Sequence, residues 1–476
     1  MPKVGLADRL FLIADAVRTP QHIAALAVFS PPDGAPADFV TRLGADFRRV
    51  RTFAPPFNYR LLRPRLRAIA PGWEELRDEE VDLAYHFRHN ALPRPGGERE
   101  LGVLVGRLHS RVLDPMRPLW ECHLIEALDE ERFAIYFKVH HALIDGVGGV
   151  RRFSEMVSSD PADREVRPLW SIGPKPRPKR DPDGRPTPVV RARATIVRVV
   201  DAARLAEGLR RVAVDMVREA RRPSDNAAAI PFLIPDSVLN ARIGQQRRVA
   251  TQTYEFERMR AVSRAADVTI NDVFLAICAG GLRRYLDELG ELPDRGLVAG
   301  TPVSVRPAGD DQTGNAFGIV VMKLATDVAD PIERIRAIRS SSAIAKQKLS
   351  LMSKPVVEKQ AALFMAPFIA EQFAGLGGRV PPPYNVTISN VPGPLAPQYL
   401  AGARLESLAP IAVLFHGMAL FIAVFSTSGQ FGIGFVGCRD TLPHMQRLAV
   451  YTGCALEELE HALAGRAGTD EKVAPA

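Results

Sequence analysis

The sequence has few of the residues that build covalent or metal-held scaffolds. Four cysteines occur in 476 residues, Cys122, Cys278, Cys438 and Cys454, and none stand in C-x-x-C spacing. A disulfide framework or a cysteine-bound zinc is therefore not expected, and the four read as reduced core residues of a cytoplasmic protein. No H-E-x-x-H, G-x-S-x-G or Walker pattern is present, which argues against a zincin, an elbow-type serine hydrolase and a P-loop enzyme. The stretch Met1–Arg9 carries charges where a signal peptide needs an apolar core, so no export is expected. Charge is also missing from Ser407 to Cys438. Pro410, His416-Gly417 and Ser426–Gly429 cut that run into strand-length pieces, so it reads as buried sheet rather than a membrane span.

What is present is an ordinary globular composition, 46% hydrophobic and 24% charged, with a formal net charge of +8. The length suggests two or three domains. The positive balance suits an anionic partner, a phosphate-bearing ligand or an anionic membrane; with no reader motif, nucleic acid is set aside. One glycine pattern is a decoy. Gly432-Ile433-Gly434-Phe435-Val436-Gly437 satisfies G-x-G-x-x-G, but alternating Phe431, Ile433 and Phe435 and the lack of a following helix make it a strand. Its bare glycine face leaves room for a ligand or another backbone.

One stretch organises the rest. Phe133, Ile135, Phe137 and Val139 alternate along a strand, and His140-His141-Ala142-Leu143-Ile144-Asp145-Gly146 follows where that strand ends. A strand end delivers side chains to a cavity. Histidine is the natural base near neutrality, and a second His, an acid and a glycine beside it suggest a general base with an orienting group. The competing readings are satisfied core histidines or a metal site, the latter lacking a third ligand at suitable spacing.

This HHxxxDG motif resembles that of the CoA-dependent acyltransferase superfamily. Pro118-Leu119-Trp120-Glu121, Asn271-Asp272, Pro302–Arg306 with Gly314-Asn315, and Ser389-Asn390-Val391-Pro392-Gly393-Pro394 follow in an order similar to the bacterial wax ester synthase/diacylglycerol acyltransferase family, from about Leu6 to Glu460. The resemblance implies a two-lobed α/β fold like that of chloramphenicol acetyltransferase, with mixed sheets, flanking helices and a tunnel between lobes. It implies transfer of a long-chain acyl group from acyl-CoA to diacylglycerol or a fatty alcohol, acyl-CoA being a substrate and no cofactor or metal being needed.

In that scheme His141 is the base and His140 packs beside it. Asp145 holds the loop through an ion pair with Arg306, and Gly146 serves backbone shape. Asn271 supports the site, its T-x-x-D context also reading as a plain helix cap. Ser389, Asn390 and Trp120 are candidate substrate or tunnel residues, with an anchored turn as the other reading of Trp120. Pro392-Gly393-Pro394 shapes a crossover. Phe421 and Thr427 depart from the family's usual Asn and Tyr, which bears on acceptor preference. Rival readings are a silent lipid-binding homologue and a condensation-like enzyme using a carrier-protein thioester.

The expected layout is a first lobe over residues 1–170, a Pro/Arg-rich linker and basic helix over 171–244, a second lobe over 245–462, and a disordered tail over 463–476. Val189 to Arg222 carries nine arginines against four acids. It reads either as a solvated face or as an interfacial helix on anionic lipid, with peripheral contact at the inner face of the membrane or at lipid droplets. Val81 to Asn90 reads as a strand, and Val356 to Phe373 as an apolar helix interrupted by Pro367.

Overall fold

The computed structural model describes residues 4, 6–67, 70–144, 146–174, 214, 228–304, 317–352 and 354–470. Its strands are β1 (His22–Ser30), β2 (Tyr59–Leu61), β3 (Trp73–Glu75), β4 (Phe87–Ala91), β5 (Trp120–Glu126), β6 (Phe133–His140), β7 (Arg247–Glu255), β8 (Val298–Ser304), β9 (Phe317–Lys323), β10 (Val386–Pro392), β11 (Tyr399–Leu400), β12 (Ala403–Ile411), β13 (Leu420–Thr427) and β14 (Gln430–Cys438). The helices are α1 (Leu6–Ala14), α2 (Phe39–Arg49), α3 (Leu83–His86), α4 (Glu98–Ser110), α5 (Gly146–Met156), α6 (Phe256–Ala265), α7 (Ile270–Glu288), α8 (Pro331–Ser350), α9 (Lys354–Phe373) and α10 (Arg447–Asp470).

Two six-stranded mixed sheets result, ordered β11-β12-β1-β6-β5-β4 and β7-β14-β13-β10-β8-β9. β6 shows why the first sheet is buried on both faces. Phe133, Ile135, Phe137 and Val139 enter one apolar cluster, whereas Ala134 and Tyr136 enter the other. All eight of its residues are buried. A half-exposed strand alternates apolar and polar residues; this one does not, because α4 and the second lobe cover the remaining face.

The second lobe is built around α7. Thr269 caps it: the hydroxyl accepts from Asp272 N–H at 3.2 Å, and the Asp272 carboxylate accepts from Thr269 N–H at 3.1 Å. Asp272 also takes the Ser342 hydroxyl at 2.6 Å, tying α7 to α8. Every residue from Asp272 to Leu282 is buried, the pattern of a core helix. No single helix among the described residues is long and apolar enough to cross a membrane.

Several expectations are corrected. β11 and β12 lie in the second half of the chain yet complete the first sheet, β12 pairing antiparallel with β1. The 245–462 lobe therefore lends two strands to its neighbour, and Pro392 with the residues after it carries the chain across. Val81–Asn90 is not one strand, since Asp82 accepts from Tyr85 N–H and starts the turn α3 before β4 begins. α9 runs through Pro367 without interruption, the proline lying on an exposed side where water can meet a freed carbonyl. The last helix continues to Asp470, eight residues into the segment expected as a tail. Most of the linker and basic helix lies outside the described residues.

Candidate active site

His140 ends β6, and its register partner across the sheet is His22 of β1. The His140 ring is fully buried, and Nδ1 accepts from Ala142 N–H at 3.1 Å. Burial, with the neighbouring His141 and Arg67, pushes its pKa down to about 3. It is therefore a neutral scaffold residue at working pH.

His141 is different. It is only partly buried, its peptide N–H donates to Gln21 O at 2.8 Å, and its imidazole stacks on Phe11 with centroids 4.0 Å apart and planes at 15°. Leu143 and Ile144 N–H groups fold back on the His140 carbonyl, so the motif turns sharply after the strand. Asp145 and Arg306 lie outside the described residues. Gly146 opens α5, where a Cβ would meet nothing within 4 Å and the backbone is not left-handed. The described surroundings place no steric demand on glycine there.

The structure brings Asn271 and Asn390 together, Asn390 Nδ2 donating to Asn271 Oδ1 at 3.2 Å. Ser389 precedes Asn390 on β10 and is likewise half-buried. Trp120 is elsewhere. Its indole is wholly buried, donates to Phe57 O at 2.8 Å and stacks between His86, Phe137 and Trp170. A side chain with no exposed surface cannot line a substrate tunnel, so Trp120 is a core anchor. Thr427 is also buried, its hydroxyl donating to Pro394 O at 3.1 Å.

Behind β6, Lys138 is completely buried. Its ammonium donates to the Leu108 and Arg111 carbonyls at the end of α4 and meets Glu121 at 3.1 Å. Burial pushes the Glu121 carboxyl up, but His123, Lys138 and Arg88 prevail and bring it to about 2. This cluster fixes the strand that presents the histidines. Among the described residues no group of three or more His, Cys, Asp or Glu is arranged to hold a metal.

Sequence reasoning missed the residues that face the two histidines, namely Phe11, Asp15, Gln21 and Arg67. Phe11 lies on α1 and Asp15 four residues on, just past the end of the helix, and that spacing is the only signal that pointed to them. His22 enters β1, with Nε2 donating to His109 O at 2.8 Å.

Comparison with known proteins places the chain among relatives along nearly its whole length. Residues 5–274 match the model of the wax ester synthase/diacylglycerol acyltransferase catalytic domain, and residues 313–460 that of the WS/DGAT C-terminal domain. A putative diacylglycerol O-acyltransferase of Mycobacterium tuberculosis is 40% identical, covering 96% of this chain and 97% of its own. One from Mycobacterium bovis is 38% identical over 96% and 98%. The solved wax ester synthase/diacylglycerol acyltransferase of Marinobacter aquaeolei superposes with a TM-score of 0.77 at 35% identity, covering 98% of this chain and 100% of that one. The first condensation domain of the calcium-dependent antibiotic synthetase, at TM-score 0.55 and 16% identity, shares the fold alone.

Proposed function

Because the chain belongs to the wax ester synthase/diacylglycerol acyltransferase family, we propose that it moves a long-chain acyl group from acyl-CoA to diacylglycerol or a long-chain alcohol, with His141 as the general base. The observation that carries the assignment is the contrast within the pair. His140 is sealed and held far below neutral titration, whereas His141 is partly open and oriented by a backbone bond and a stacked ring.

The acceptor hydroxyl gives its proton to His141 as its oxygen bonds to the thioester carbonyl carbon. The tetrahedral centre then expels sulfur, and the imidazolium proton passes to it, leaving ester, free CoA and neutral His141. A positioned base of this kind contributes about 10² to 10⁴ in rate. Acyl-CoA is consumed as substrate, and no step draws on a resident cofactor. Asn271 and Asn390 form a linked pair on α7 and β10 suited to shaping the second lobe's side of the site. Asp145 is assigned to holding the motif loop, with Arg306 as its partner.

The proposal extends to peripheral contact with a membrane or droplet surface, from which a water-insoluble acceptor would be drawn. Exposed Phe373, Leu376 and Val380, with exposed Arg379 among them, support it. The test is product formation from palmitoyl-CoA with dioleoylglycerol or hexadecanol supplied separately. Triacylglycerol or wax ester in step with CoA release is expected; acyl-CoA binding without either ester would remove the proposal.

A further inference from the structure

The wall facing the paired histidines comes from the first helix and the turn after it. Phe11 covers the His141 ring. One turn on, just past the end of α1, Asp15 keeps 12% of its side chain exposed. Its Oδ1 accepts from Gln21 N–H at 2.9 Å. Gln21 is completely buried, and its carbonyl is the group that accepts from His141 N–H at 2.8 Å. A carboxylate is thus linked to the base histidine through one residue.

The same oxygen stands 3.9 Å from His140 Nε2. Since His140 Nδ1 accepts from Ala142, the neutral ring carries its proton on Nε2, toward Asp15. On the other side, Arg67 donates to the Asp15 carbonyl at 2.9 Å and lies 3.5 Å from Oδ2. Burial pushes the Asp15 carboxyl above its ordinary value, against Gln21 N–H and Arg67. A turn cap would account for the Gln21 bond alone. It would not account for the capped residue also supplying, through its carbonyl, the backbone anchor of His141.

We propose that Asp15 is a positioning residue for the acyl transfer, fixing His141 through Gln21. The proposal rests on His141 being the base. Asp15 touches neither substrate, so its loss changes how often the base is aligned and leaves binding alone. A misplacement of about 1 Å at a reacting group costs on the order of 10²-fold.

The test measures kcat and KM separately, with palmitoyl-CoA and dioleoylglycerol, for the wild type, Asp15→Ala, Asp15→Asn and His141→Ala, alongside melting curves. Asp15→Ala is expected to lose 10- to 100-fold in kcat, with both KM values within about twofold. Asp15→Asn keeps an oxygen acceptor for Gln21 N–H and is expected to recover most of that loss. If Asp15→Ala does not fold, Asp15→Leu, which fills the space without an acceptor, is measured in its place. Wild-type kcat in the acceptor-free variant, a loss confined to KM, or Asp15→Asn as impaired as Asp15→Ala would each overturn the proposal. The His141→Ala arm separates the two readings: if it keeps activity the base assignment fails, and if it alone loses activity only the Asp15 role fails.

Discussion

The junction between the lobes makes a sharp prediction at Gly434. β12 belongs to the first sheet but passes across the glycine face of β14 in the second. A Cβ at Gly434 would stand 2.0 Å from Pro410 O, and one at Gly432 would stand 2.5 Å from Leu408 O. Carbon and carbonyl oxygen approach to about 3.3 Å at closest in ordinary contacts, so Gly434→Ala forces roughly 1.3 Å of separation. The obstacle is backbone within a paired strand, which cannot swing aside as a side chain would. Overpacking of this kind costs about 1–3 kcal/mol, and the upper part of that range applies here.

Gly437→Ala is the control. Its nearest neighbour is Met445 Cγ at 3.0 Å, a flexible side chain, so it is expected to cost under about 1 kcal/mol. Guanidinium denaturation followed by circular dichroism, with the acyl-transfer rate measured on the same samples, reads both effects. Gly434→Ala should unfold at lower denaturant than Gly437→Ala and transfer acyl groups more slowly, because the crossing sets the spacing of the lobes. A Gly434→Ala protein as stable as the wild type would refute the crossing.

Stability should fall as pH drops below neutrality. Buried His86, His109 and His140 are held at about 4, 3 and 3 against an ordinary 6.5, so below 6.5 the unfolded chain binds protons that the native one does not. From pH 7.5 to 5.5 each contributes a loss of about 1.4 kcal/mol, together about 4 kcal/mol, and equal denaturation midpoints at the two pH values would contradict this. Lys138→Met removes the ammonium partner of buried Glu121, leaving it only His123 and Arg88, and should cost about 3 kcal/mol, with Glu121→Gln added in the same chain restoring part of it by the same measurement. Thr269→Ala removes the cap of α7 and should cost about 1 kcal/mol; an unchanged melting curve would show that the cap is not needed.

Features whose cause is local were legible in the sequence. The T-x-x-D cap of α7 and the strand character of Gly432–Gly437 are settled within a few residues. The β5–β6 hairpin likewise joins strands separated by a short acidic turn. The bare glycine face did signal that something comes close, and that neighbour is the β12 backbone.

Features that depend on distant partners were not legible. β12 pairs with β1 across nearly the length of the chain, and no periodicity in either strand names the other. Asp15 acquires its meaning only when β1 brings Gln21 beside His141, 120 residues downstream. Trp120 looks the same in sequence whether it anchors a turn or touches a ligand; the sealed stack around it decides. Single turns such as α3 fall below the length at which alternation separates helix from strand.

The central claim is that His141 takes the acceptor proton. Free CoA release from palmitoyl-CoA with dioleoylglycerol, compared between the wild type and His141→Ala, tests it most directly. The wild type should release CoA only with acceptor present and make triacylglycerol, and a His141→Ala protein with an unchanged melting curve should be slower by about 10² to 10⁴. A folded His141→Ala variant that makes triacylglycerol at the wild-type rate would contradict the assignment.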